Sequence, residues 1–184
     1  MEKLNPQARR DRYGSKINRT HSPSLAGGLP WASVMVASLV QILPLAAAVP
    51  VMPPLGFIVL LCWRLVRPGL LPVWAGFPLG LFDDLLSGQP FGSAILLWSL
   101  ALLVIEVIEV RLPWREFLLD WLLAAAILAV YLMAAALVSG GRMTAPLLLA
   151  LLPQLLLSVL VYPIIARMVA WLDRLRLMRF RTVD

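Results

Sequence analysis

Only one cysteine and one histidine occur among the 184 residues, and neither is placed for chemistry. Cys62 lies within an apolar run with no second thiol to pair with, so it reads as a small core residue. His21 sits between Thr20 and Ser22 in a polar, basic stretch and reads as a solvated tail residue. A zinc site built from His and Cys ligands is excluded, as is an HExxH helix. A Ser-His-Asp site would have to draw His21 out of its tail into the apolar part of the chain. Charge is scarce as well: 14% of residues are Asp, Glu, Lys or Arg, against about 25% in soluble domains.

What fills the chain instead is hydrocarbon. Hydrophobic residues make up 61% of it, and several runs approach or exceed the roughly 20 residues that cross a bilayer core. The expectation is an all-α integral membrane protein with six transmembrane helices. A basic cytoplasmic tail (1–30) precedes a membrane domain (31–172), and a second basic tail (173–184) follows it. The polar opening stretch does not read as a cleavable signal, so the first span is expected to be an uncleaved anchor.

The spans are expected near 31–49, 51–66, 70–87, 91–110, 115–139 and 145–172. Pro44, Pro50, Pro53 and Pro54 interrupt the first long apolar stretch and read as an outer turn between two short helices. The second span is short, so Arg64 is expected to snorkel to the near interface. Pro113 with Trp114 and Gly140 with Gly141 separate the later spans.

Charge orients this arrangement. With the N-terminus inside, fifteen of the sixteen lysines and arginines are cytoplasmic, and Arg142 alone falls outside. A five-span alternative would export the C-terminal arginines and is rejected. Trp31, Trp63, Trp74, Trp114, Trp121 and Trp171 fall near cytoplasmic span ends, where indoles favour the headgroup level; Trp98 does not. The net charge of +6 then calls for anionic lipid rather than nucleic acid. Outer connections of a few residues leave no room for an extracytoplasmic domain.

Against this background two adjacent carboxylates, Asp83 and Asp84, stand out at the end of an apolar helix. An ionisable group at hydrocarbon depth costs roughly 2.5–3.5 kcal/mol on insertion scales, so such a residue has either a function or an assembly role. Gly76 and Gly80 form a GxxxG spacing on the same helix. At 100° per residue, Gly80 lies about 40° from Gly76, Asp84 about 80°, and Asp83 about 20° the other way. A small-residue face with a polar end is expected to pack against another helix. Gly88 and Gly92 then bracket Gln89-Pro90-Phe91 in a tight turn. The plainer readings are that the aspartates mark a membrane boundary, or that Asp84 caps the next helix.

A second polar cluster, Glu106, Glu109, Arg111, Arg115, Glu116 and Asp120, has the mixed signs of salt-bridged helix ends rather than of catalysis. Tyr131, Gln154 and Ser158 are isolated polar residues expected to hydrogen-bond between helices.

The stretch Gly80-Leu81-Phe82-Asp83-Asp84-Leu85-Leu86-Ser87-Gly88-Gln89-Pro90-Phe91-Gly92 resembles the signature of the bacterial rod-shape-determining MreD family. In that family an apolar helix ends in Gly-Leu-x-x-Asp-Leu-Leu-x-Gly, followed by a short turn and another Gly. Asp84 matches the family aspartate, Gly88 and Gly92 its glycines, and Asp83 is an extra carboxylate. The resemblance implies a non-catalytic inner-membrane subunit of the cell-elongation machinery, serving cell shape and peptidoglycan synthesis without a cofactor. It implies partners: a single-span MreC protein, and with it MreB, RodA and a class B penicillin-binding protein. It also implies a membrane fold similar to the S-components of energy-coupling-factor transporters. The alternative is a small-molecule-binding S-component, whose outer polar pocket would draw on Asp83, Asp84, Gln89 and Arg142. An intramembrane enzyme holding Mg²⁺ and a lipid diphosphate ranks last, because the basic residues lie on the opposite side from the aspartates.

Overall fold

The computed structural model describes residues 19–20, 23–42, 52–111, 116–142, 144–176 and 180–181. The tail residues before Arg19, the expected turn around Pro44 and Pro50, residues 112–115 with Trp114, and Arg179 lie outside the described residues.

Six α-helices occur among the described residues: α1 (Pro23–Leu39), α2 (Leu55–Val66), α3 (Gly76–Ser87), α4 (Ser93–Arg111), α5 (Phe117–Val138) and α6 (Ala145–Arg176). A 3-10 turn, Val40–Ile42, extends α1, and another, Val73–Ala75, leads into α3. Arg19–Thr20 (β1) pairs antiparallel with Phe180–Arg181 (β2), which brings the two tails together. Of the described helices, α4, α5 and α6 are long and apolar enough to cross a membrane, while the Gly27–Leu39 part of α1 and all of α2 are shorter apolar helices.

The first helix starts at Pro23 rather than near Trp31. Proline fits the first helical position, where its missing N–H forfeits no bond. The last helix runs to Arg176, through Pro153 and Pro163, which neighbouring side chains and helices accommodate in a membrane setting.

The centre of the molecule is α2. All residues from Gly56 to Leu65 are buried in this 12-residue helix. An apolar helix without a polar face is stable only when covered on every side. α1 and α6 supply most of that cover, with α4 and α5 completing it. At about 18 Å, the helical part of α2 by itself covers little more than half of a core of roughly 30 Å.

Central burial overturns two interfacial expectations. Trp63 is fully buried, and its indole N–H donates to Ser33 Oγ at 2.7 Å. Arg64 does not snorkel: it is 1% exposed, donates to the Leu71 carbonyl at 3.0 Å and forms ion pairs with Glu106 and Glu109. A guanidinium that cannot reach water must be paired, and two glutamates on α4 provide that pairing.

Candidate functional site

The closest helix pair is α3 with α4, and its closeness follows from glycine. A Cβ at Gly76 would lie 2.8 Å from Cα and N of Ser99, and one at Gly80 would lie 2.7 Å from the Ala94 carbonyl oxygen. No side chain fits either place, so the α3 backbone rests directly on that of α4. The chain reverses between them through Gly88 at φ 65° and Gly92 at φ 93°, both left-handed conformations that glycine adopts without a steric penalty.

Asp84 lies at this turn, 5% exposed, with both carboxylate oxygens engaged. Oδ2 accepts from the backbone N–H of Gly92 at 3.0 Å and of Ile95 at 3.1 Å. Oδ1 accepts from the backbone N–H of Ala94 at 2.9 Å and from Ser93 Oγ at 3.2 Å. The remaining amide of the turn, Ser93 N–H, donates to the Pro90 carbonyl at 3.0 Å. The first amides of α4, which have no partner inside their own helix, thus gather around one anion, and the helix dipole favours that anion. Ordinary caps precede the helix they serve; this one comes from the preceding antiparallel helix.

Asp83 is directed elsewhere. It is 3% exposed, and its Oδ1 would stand 3.3 Å from a Cβ at Gly56 on α2. Trp98 and Ser38 approach the same point, which only a glycine leaves open. Asp83 Oδ1, Ser38 Oγ and Trp98 Nε1 are all buried, and the Ser38 hydroxyl lies within reach of the Asp83 carboxylate. Beside them Phe57 stacks on Tyr131, centroids 4.1 Å apart, and tilts against Trp98 at 5.8 Å. Sequence reasoning missed Ser38, Gly56 and Trp98 here, since they come from three different helices and no spacing links them.

At the opposite end of α4, Arg64 is bound by Glu106 and by Glu109 at 2.8 Å. Nearby in the chain, Arg67 Nε donates to Asp173 Oδ2 at 2.8 Å, and Arg176 Nε donates to Oδ1 of the same aspartate at 2.6 Å. These bonds tie the end of α2 to α4 and α6. Gln154 Nε2 donates to the Met52 carbonyl at 2.8 Å, a contact between segments, whereas Ser158 Oγ returns to Gln154 O within α6. Among the described residues no group of three or more metal-ligating side chains gathers.

A family model described as rod shape-determining protein MreD matches residues 25–176, a stretch that runs from α1 to the last residue of α6. The chain belongs to the MreD family. No curated protein and no solved structure matches it. Membership in the MreD family implies a role in rod shape determination, and the apolar helices make this MreD member a membrane protein.

Proposed function

We propose that this chain is a non-catalytic scaffold subunit of the bacterial cell-elongation machinery, held in the inner membrane by six helices with both termini cytoplasmic. Its basic tails, 1–30 and 173–184 in outline, lie against anionic lipid. Its membrane domain takes the S-component-like form and engages a single-span MreC-type protein, and with it MreB, RodA and a class B penicillin-binding protein. The antiparallel pairing of Arg19–Thr20 with Phe180–Arg181 supports two tails on one side. The basic asymmetry of the sequence supports the cytoplasmic side.

The observation that carries the scaffold reading is the full commitment of Asp84. A carboxylate whose two oxygens accept four hydrogen bonds from the next helix serves as a brace, with no lone pair directed at a substrate. Gly76, Gly80, Gly88 and Gly92 complete that brace, and Asp83 lines the α1–α2 side of it. The described cavity between α4 and α5 is apolar, which favours a scaffold over a receptor for a polar small molecule.

Complementation in a rod-shaped bacterium tests the reading. Asp84→Ala, present at normal membrane levels, is expected to lose rod shape or partner co-purification. Full function of that variant would overturn the brace as the working part of the scaffold. Reporter fusions at Arg19 and Arg181 test the topology, and an active periplasmic reporter at either position would overturn it.

A further inference from the structure

The α4–α5 pair contrasts with α3–α4: instead of touching backbones it leaves a groove, a cavity of about 450 Å³. Leu97, Ala101, Val104 and Ile108 line it from α4, with Ala126 and Val130 facing them from α5. Phe57 and Tyr131, stacked on each other, close its floor. From Leu97 to Ile108 the groove runs about 16 Å along the helix, close to the depth of one leaflet of a bilayer with a core of ~30 Å.

Beyond the lined stretch, helical register continues the two walls of the groove to charges of opposite sign. The α4 stripe recurs every three or four residues, and its next member after Ile108 is Arg111, exposed at the helix end. On α5 the stripe from Val130 through Ile127 and Leu123 continues to Asp120 and then Glu116, exposed at the helix start. Asp120 is already engaged within the protein. Arg111 and Glu116 make no side-chain bond with another described residue, and each ends the stripe that continues one wall of the groove. An apolar slot one leaflet deep, finished by a cation on one wall and an anion on the other, matches a zwitterionic amine-bearing phospholipid. Its acyl chain would fill the slot, its phosphate would meet the guanidinium of Arg111, and its ammonium would meet the carboxylate of Glu116.

We infer that the α4–α5 groove is a binding site for an aminophospholipid of the phosphatidylethanolamine type. A purely anionic lipid satisfies Arg111 but is repelled by Glu116 and Asp120. A transmembrane helix from a partner would fill the slot without using the charge pair beyond it. The inference concerns the isolated chain and stands apart from the scaffold reading, because its assay contains no partner.

The full-length protein, purified in detergent, is offered equal amounts of phosphatidylethanolamine, phosphatidylcholine and phosphatidylglycerol in mixed micelles. Retained lipid is then counted by native mass spectrometry. One phosphatidylethanolamine is expected to be retained, favoured roughly fivefold over phosphatidylglycerol, the factor that one charge contributes at a bilayer surface. Glu116→Gln, at an exposed position, is expected to bring that preference close to parity, whereas Arg111→Gln, also exposed, is expected to lower retention of both lipids. Ala126→Trp fills the slot and is expected to abolish retention. Equal retention of the three lipids by the wild-type protein would overturn the site. So would an undiminished preference in the Glu116→Gln variant, or a photocrosslinker at position 126 that captures protein in native membranes and never lipid.

Discussion

The two ends of α4 are held by carboxylates in opposite ways. At its start, Asp84 receives backbone amides, and donor and acceptor lie 8 to 11 residues apart in the chain. At its finish, Glu106 and Glu109 receive the guanidinium of Arg64, 42 and 45 residues away. The first arrangement neutralises a buried charge with dipoles that the fold must satisfy in any case. The second neutralises the buried guanidinium with carboxylates, which makes Arg64 dependent on partners far along the chain. A local brace and a long-range clamp therefore hold one helix, and they should fail differently.

The clamp should give the largest effect. Arg64→Ala removes a fully buried cation and with it two ion pairs, so a loss of about 3 kcal/mol is expected, the lower end for a broken buried pair because Glu106 is 47% exposed. Thermal denaturation of the detergent-solubilised protein measures it. If the double variant Arg64→Met with Glu109→Gln is no more stable than Arg64→Ala, charge is not what the clamp contributes.

Next comes the surface on which the brace depends. Gly80→Ala sets a methyl group 2.7 Å from the Ala94 carbonyl oxygen, and separating the helices should cost about 1–3 kcal/mol. Disulfide crosslinking between cysteines placed on α3 and α4 should slow in parallel. Unchanged crosslinking would mean that α3 and α4 approach less closely than the structure has them.

Losing the brace itself should be milder, about 0.5–2 kcal/mol for Asp84→Ala by comparison with helix caps. Its signature is local: faster hydrogen exchange at Gly92, Ala94 and Ile95, with the Arg64 end of α4 unaffected. Exchange that rises equally at both ends would erase the distinction between brace and clamp.

Asp83→Asn should have the smallest effect of the four, because the amide keeps the shape of the carboxylate and an acceptor for Ser38 while removing a buried charge. A destabilisation exceeding that of Asp84→Ala would reverse the ranking and make the Ser38, Gly56 and Trp98 convergence the more important feature.

How far each region could be read from sequence follows the same division. Apolar runs located the helices because hydrophobicity is a property of consecutive residues. The Asp84 turn could be read as a cap because every group in it lies within a dozen residues. Arg64 was misread for the converse reason. A basic residue near the end of a short apolar run resembles a snorkelling side chain, and nothing adjacent announces two glutamates more than forty positions later. The burial of Trp63 was hidden in the same way, since an indole near a helix end looks alike at a lipid headgroup and inside a protein. The order of the helices could be read, but their coverage could not. That α2 is wrapped on all sides is a property of its neighbours.

The separation between Arg64 and its acceptors also has a meaning in time. A ribosome adds about 5–20 residues per second, so the 45 positions from Arg64 to Glu109 take roughly 2–9 s to synthesise. For that interval the guanidinium has been made and its second carboxylate does not yet exist. Asp84 waits far less, because Ile95 follows it by 11 residues. The brace is therefore available to shape the nascent chain while α2 still has an unanswered charge. The central helix of the finished protein is made before the helix that supplies its counter-charges, so its ion pairs can close only once Glu106 and Glu109 exist.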